Sequence, residues 1–163
     1  IFLPYLLGTG TPHFDYDARG SFVGLTPDHG KGEVVRSIME GVTMGLRESL
    51  ETVENSGMSI EDIVLGAGAT RSKLWNKIQA DVYGKPVNLA QTPDASPLGA
   101  ALLAGVGSGI FPSLERAVEK SVDISSKFDP DPDRSRYYDQ LFKVFKDTFE
   151  GLAEVFPKIS SLN

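Results

Sequence analysis

The sequence predicts an α/β layered domain. Short apolar runs of strand length alternate with amphipathic stretches of helical length, and glycine or proline punctuates each junction. The 163 residues, 40% hydrophobic and 23% charged, fit a single domain with one compact core.

Residues 1–32 are rich in Gly, Pro, Thr and Asp and read as loop with some strand, Ser21-Phe22-Val23-Gly24-Leu25 being the best short strand. From 33 to about 55, Val35, Ile38, Met39, Val42, Leu46, Leu50 and Val53 recur at three- and four-residue steps, the stripe of an amphipathic helix. Gly41 and Gly45 lie one turn apart on it, where a missing side chain lets a neighbouring element come close. Gly57 stops that helix, and residues 60–65 form a strand that runs into Gly66-Ala67-Gly68-Ala69. A second helix over about 72–83 places Leu74, Trp75, Ile78 and Val82 on one face. Gly84-Lys85-Pro86 ends it, 87–89 is a short strand, and a helix over 97–105 follows. The small residues Gly99, Ala100, Ala101, Ala104 and Gly105 predict that this helix packs tightly on the sheet. A short helix near 113–120, an acidic Pro-broken linker at 129–133 and a long terminal helix complete the chain. The terminal helix carries Tyr138, Leu141, Phe142, Phe145, Phe149, Leu152 and Phe156 on the face expected to dock.

The net charge of −6 gives no footprint for nucleic acid or an anionic membrane surface, since both need clustered Lys and Arg. The longest apolar-rich stretch, 97–106, is far shorter than the roughly 20 residues of a membrane helix. Absence of cysteine removes disulfide, thiol and thiolate-metal chemistry and suits a cytoplasmic protein. The apolar opening lacks the basic region and cleavage site of a signal peptide, and a start without Met inside a strand-like segment is expected of a fragment or excised domain.

The run Gly66-Ala67-Gly68-Ala69-Thr70-Arg71-Ser72 sits where a strand turns into a helix, a place where backbone approaches ligands and free amides face them. Arg71 stands where a dinucleotide fingerprint needs its third glycine, and no Gly-Lys-Ser/Thr follows, so the Rossmann and P-loop motifs both fail. On spacing alone the run is either a nucleotide-contacting loop or a plain tight turn. The alternating acids Asp129, Asp131 and Asp133 lack the glycine and the closing glutamate of a calcium loop, and Asp133 is better read as a helix N-cap. His13, beside Asp15 and Asp17, is too little for a metal site and is expected to hydrogen-bond within its loop. No metal ligand set and no Ser-His-Asp arrangement is legible.

Three ordered segments resemble the C-terminal half of the FGGY carbohydrate kinases. Phe2-Leu3-Pro4-Tyr5-Leu6, Gly8-Thr9-Gly10-Thr11-Pro12-His13-Phe14-Asp15 and Asp17-Ala18-Arg19-Gly20 resemble the loop before that family's signature. Gly20-Ser21-Phe22-Val23-Gly24-Leu25, followed after seven residues by Glu33-Val34-Val35-Arg36-Ser37-Ile38-Met39-Glu40-Gly41, fits the signature itself. Gly66 to Trp75, with Ala80-Asp81 and Leu98-Gly99-Ala100-Ala101 beyond, is similar to the adenosine motif and the helix behind it.

The resemblance implies an actin-like, ribonuclease-H-like ATPase lobe with a mixed sheet and packed helices. Residues 1–163 would be the nucleotide-side lobe of a two-lobe enzyme, with an amino-terminal kinase lobe as partner and ATP and Mg²⁺ as cofactors. The implied activity is phosphorylation of a sugar or polyol hydroxyl, a pentulose such as D-xylulose being the expected small-molecule substrate. The family's pattern sets the Gly68 and Ala69 backbone against adenine and points Ser72 at the base edge, with Gly66, Ala67 and Arg71 in the surrounding loop. The family's run of glycines reads Gly-Ala-Gly-Ala here, and alanine can hold such a loop only where φ is negative. The catalytic base and phosphate loops would lie upstream, leaving Asp15, Asp17 and Arg19 as candidates for the cleft edge and the chain inactive by itself. Homodimerisation stays open, as do a non-catalytic nucleotide-binding module and an interaction module.

Overall fold

The structure is a computed structural model that describes residues 1–91 and 94–162, Ala67 and Ala69 by their backbone alone. Two compact units emerge: Ile1–Ile60, Asp81–Gly84 and Pro130–Asn163 make the first, Glu61–Ala80 and Lys85–Asp129 the second.

In the first unit, β1 (Phe2–Leu3) and β2 (Ser21–Phe22) pair antiparallel, Phe2 opposite Phe22. Helix α1 (Lys31–Asn55) lies against β1. Its entry is closed by Glu33, whose carboxylate accepts the Gly30 amide at 3.0 Å, and Gly57 at φ +92 follows its end. The face that α1 buries differs from the apolar stripe. Val35, Ile38 and Leu46 are exposed, while Gly41, Thr43, Met44 and Glu48 are buried. The cause is local: β1 crosses directly over Gly41, where an added Cβ would land on the Phe2 carbonyl oxygen. Gly45 faces Pro4 more loosely.

Helix α5 (Pro132–Leu152) buries Tyr138, Phe142, Phe145 and Phe149, as its spacing predicts, and the short α6 (Phe156–Ser160) adds Phe156. Arg47 ties α1 to α5 by donating to Asp139 at 2.7 Å while its guanidinium lies 4.4 Å over the Phe142 ring. The N-cap of α5 is Asp131, not Asp133: its carboxylate accepts the amides of Asp133 and Arg134. Pro132 at the first helical position sets that register, since proline lacks the donor a cap would otherwise serve there.

In the second unit, β3 (Ile63–Leu65) runs parallel to β4 (Val87–Ala90), and β5 (Ile124–Phe128) pairs antiparallel on the other side of β4. This is a mixed sheet, and β5 is a strand that the apolar pattern does not announce. Helix α2 (Lys73–Tyr83) begins in this unit and ends at Gly84, φ +62. Helices α3 (Ala95–Gly107) and α4 (Leu114–Ser121) pack on one another, correcting the expected burial of the small-residue face of α3 on the sheet. Only Leu102 and Gly105 of α3 are buried, because the Phe111 ring sits where a Gly105 side chain would be.

Candidate functional site

The strongest candidate is the junction after β3. The chain leaves the strand at Leu65, passes Gly66 and winds a 3₁₀ turn over Ala67–Arg71 before α2 begins. Gly68 does not sit at positive φ, so its own dihedral angles do not demand glycine. The side chains of Ala67 and Ala69 lie outside the described residues. What glycine supplies at 68 is space: the residue is exposed, and a Cβ built on it meets no atom within 4 Å.

Ser72 takes the capping position before α2. Its Oγ accepts the Trp75 amide at 3.2 Å, which leaves the hydroxyl proton to donate outward. Asn76, fully buried, donates from Nδ2 to the Thr70 carbonyl at 3.1 Å and so fastens the 3₁₀ turn to the helix behind it. Its Oδ1 is buried without a hydrogen-bond partner among the described residues. The one sequence signal for Asn76 is an amide between the apolar positions of α2. Arg71 is exposed at the end of the turn. The junction thus sets an exposed glycine and a serine hydroxyl at the start of a helix, where the helix dipole presents partial positive charge.

The cleft-edge candidates belong to the first unit. Asp15 builds its loop, Oδ1 accepting the amides of Asp17 at 2.8 Å and Ala18 at 3.2 Å. Arg19 donates to the carbonyls of Tyr16 and Ala18 and to the Ser160 hydroxyl. Asp17 is exposed. His13 hydrogen-bonds outside its own loop, to Glu48 of α1 at 3.0 Å. Glu48 also accepts the Tyr5 hydroxyl at 2.8 Å; burial, and after it this hydrogen bond, pushes the Tyr5 phenol upward. A buried glutamate facing Tyr5 and His13 has no local sequence signature.

Among the described residues, no group of three or more His, Asp or Glu side chains is placed to hold a metal ion. No described helix is long and apolar enough to cross a membrane.

Comparison with known proteins places the chain in a family. Residues 1–108 match the C-terminal domain of the FGGY family of carbohydrate kinases. The chain is 34% identical over 149 residues to xylulose kinase from Bacillus subtilis, an alignment covering 91% of this chain and 30% of that protein. The structure of gluconate kinase from Lactobacillus acidophilus matches with a TM-score of 0.88 at 28% identity, over 98% of this chain and 32% of that one. The ligand-bound xylulose kinase from the same organism matches with the same TM-score, identity and coverage. The chain thus spans about 30% of the length of the curated relatives it matches.

Proposed function

Because the chain belongs to the FGGY family of carbohydrate kinases, we propose that it supplies the adenosine-side wall of an ATP-dependent kinase acting on a sugar or polyol hydroxyl. D-xylulose or a related pentulose is the proposed acceptor, a choice supported by the xylulose kinases among its relatives. The fold supports this reading, since the mixed sheet with packed helices matches solved sugar kinases of actin-like, ribonuclease-H-like architecture.

The single observation that carries the nucleotide role is the open face at Gly68 on a strand-to-helix turn. A purine laid there would lie over Gly68, with the Ser72 hydroxyl to donate to its edge and Asn76 tying the turn to α2 from behind. Bound ATP supplies the phosphoryl group, with Mg²⁺ neutralising its charge. Transfer itself needs a base on the attacking hydroxyl and donors around the γ-phosphate, because such catalysis is mainly positioning and charge stabilisation. The described residues offer no constellation for that work, so we assign it to an amino-terminal lobe acting as partner. The cytoplasm, where ATP is at hand, is the proposed compartment.

Coupled ADP release with D-xylulose, glycerol and ribulose tests the assignment, first with this chain and then with the missing lobe added. No turnover is expected from the chain by itself, and turnover is expected from the assembled enzyme. Turnover by the chain alone, abolished by changing Asp15 or Asp17, would place the catalytic acid in the first loop and overturn the division of labour.

A further inference from the structure

We propose that Glu48 is a positioning residue: a buried carboxylate on α1 that sets the conformation of loop 8–18 through His13 and thereby shapes the acceptor side of the reaction. The inference rests on the kinase reading for the word acceptor, and on geometry for the rest.

Glu48 is 3% exposed, although a carboxylate is costly to bury unless its oxygens are matched. Both are matched, and from either side of one loop. Oε2 takes the Tyr5 hydroxyl at the loop's entrance, and Oε1 takes Nε2 of His13 near its tip. Against a carboxylate the ring nitrogen must be the donor. The His13 ring is not free to turn elsewhere: it lies on the Phe149 ring with centroids 4.1 Å apart, and Phe149 also meets Tyr5 edge-on. The carboxylate therefore fixes a direction as well as a distance.

The loop so held is ordered by its own bonds. Thr9 donates to the Asp15 carbonyl and Phe14 to that of Gly10, each at 2.8 Å, while Asp15 gathers the next amides through its side chain. Phe14 adopts φ +51, a left-handed conformation that a bulky residue keeps only where its surroundings over-determine it. Above the latch the loop turns its apolar groups outward, Phe14 63% and Tyr16 80% exposed, beside the exposed Asp17. Aromatic faces next to a carboxylate are the groups that recognise a polyol, by stacking on C–H faces and accepting from hydroxyls. A loop bolted beneath and presenting those groups above is built to hold them still.

Two substitutions at His13 separate the hydrogen bond from mere packing. His13→Phe keeps a ring on Phe149 and deletes the donor, whereas His13→Gln deletes the ring and keeps an N–H near the position of Nε2. In the full-length enzyme, hydrogen exchange across residues 8–18 should accelerate roughly tenfold or more in His13→Phe, and stay within about threefold of the parent in His13→Gln. The kcat/KM for the acceptor should fall in the same order while the KM for ATP holds. Loop protection in His13→Phe equal to that of the parent would reduce the imidazole to packing and overturn the proposal. A loosened loop with unaltered acceptor kinetics would overturn it equally. A parent enzyme that phosphorylates no sugar sinks the kinase reading instead, and the exchange ranking still decides the latch.

Discussion

Two glycines one turn apart on α1 should respond to alanine with opposite signs. At Gly41 the new methyl would overlap the Phe2 carbonyl oxygen, and because that oxygen is backbone no rotamer change relieves it. Strand β1 would have to shift away from the helix, taking its pairing with β2 along. Overpacking of this kind costs about 1–3 kcal/mol, and a rigid neighbour puts Gly41→Ala at the upper end. For a chain of this length that loss lowers the melting temperature by about 6–12 °C. At Gly45 the methyl would sit 3.5 Å from Cγ of Pro4, an ordinary contact. Gly45→Ala should then gain the helix propensity that glycine forfeits, about 0.5–1 kcal/mol, and raise the midpoint by about 1–4 °C. Thermal unfolding followed by circular dichroism reads both. Shifts of the same sign and similar size would refute the close approach of β1 to Gly41.

The proposed adenine contact at Gly68 predicts that Gly68→Val leaves the fold intact, since its side chain enters open space, yet removes ATP binding by the assembled enzyme; calorimetric titration with parental affinity would remove the assignment. Deleting the chain from Arg134 onward should cause aggregation on gel filtration, because the buried Tyr138, Phe142, Phe145 and Phe149 are each worth roughly 1.5–3 kcal/mol and cover apolar surface. Burial, then the hydrogen bond to Glu40, pushes the Tyr138 phenol from 10.0 up to about 12. The neutral form thus favours the fold: its contribution is intact below about pH 10 and is lost as pH rises towards 12. Burial pushes Tyr5 and Tyr83 in the same direction. Denaturant midpoints should therefore fall across that alkaline window, and less steeply in Tyr138→Phe; parallel curves for the two proteins would contradict the assignment.

Helices α1, α2 and α5 are legible in the sequence because apolar residues recur at the helical period and Gly57 and Gly84 mark two of the ends. The buried face of α1 is not, because it is made of Gly41, Thr43 and Glu48, whose burial depends on β1 and on donors far away in the chain. β5 escapes notice for the converse reason: Ile-Ser-Ser-Lys-Phe is mostly exposed and carries no alternation. Asp131 and Asp133 are equivalent by composition, and Pro132 between them decides which one caps. The junction after β3 is recognisable as a glycine-bearing strand-to-helix turn, but its 3₁₀ winding and the Asn76 clasp come from tertiary packing around α2.

Among the described residues, the strand order β3-β4-β5 gives the sheet two unlike margins. The middle of β5, between Ile124 and Phe128, is short and polar or charged: Ser125 turns back to the Leu89 carbonyl, and Lys127 pairs with Asp129 at 3.1 Å. A lysine and small hydroxyls on an outer strand discourage a foreign backbone from zipping on. Along β3 stand Ile63, Val64 and Leu65, with Val64 54% exposed and no charge within the strand. Lateral growth of the sheet is thereby directed: it is blunted at one selvedge and left receptive at the other.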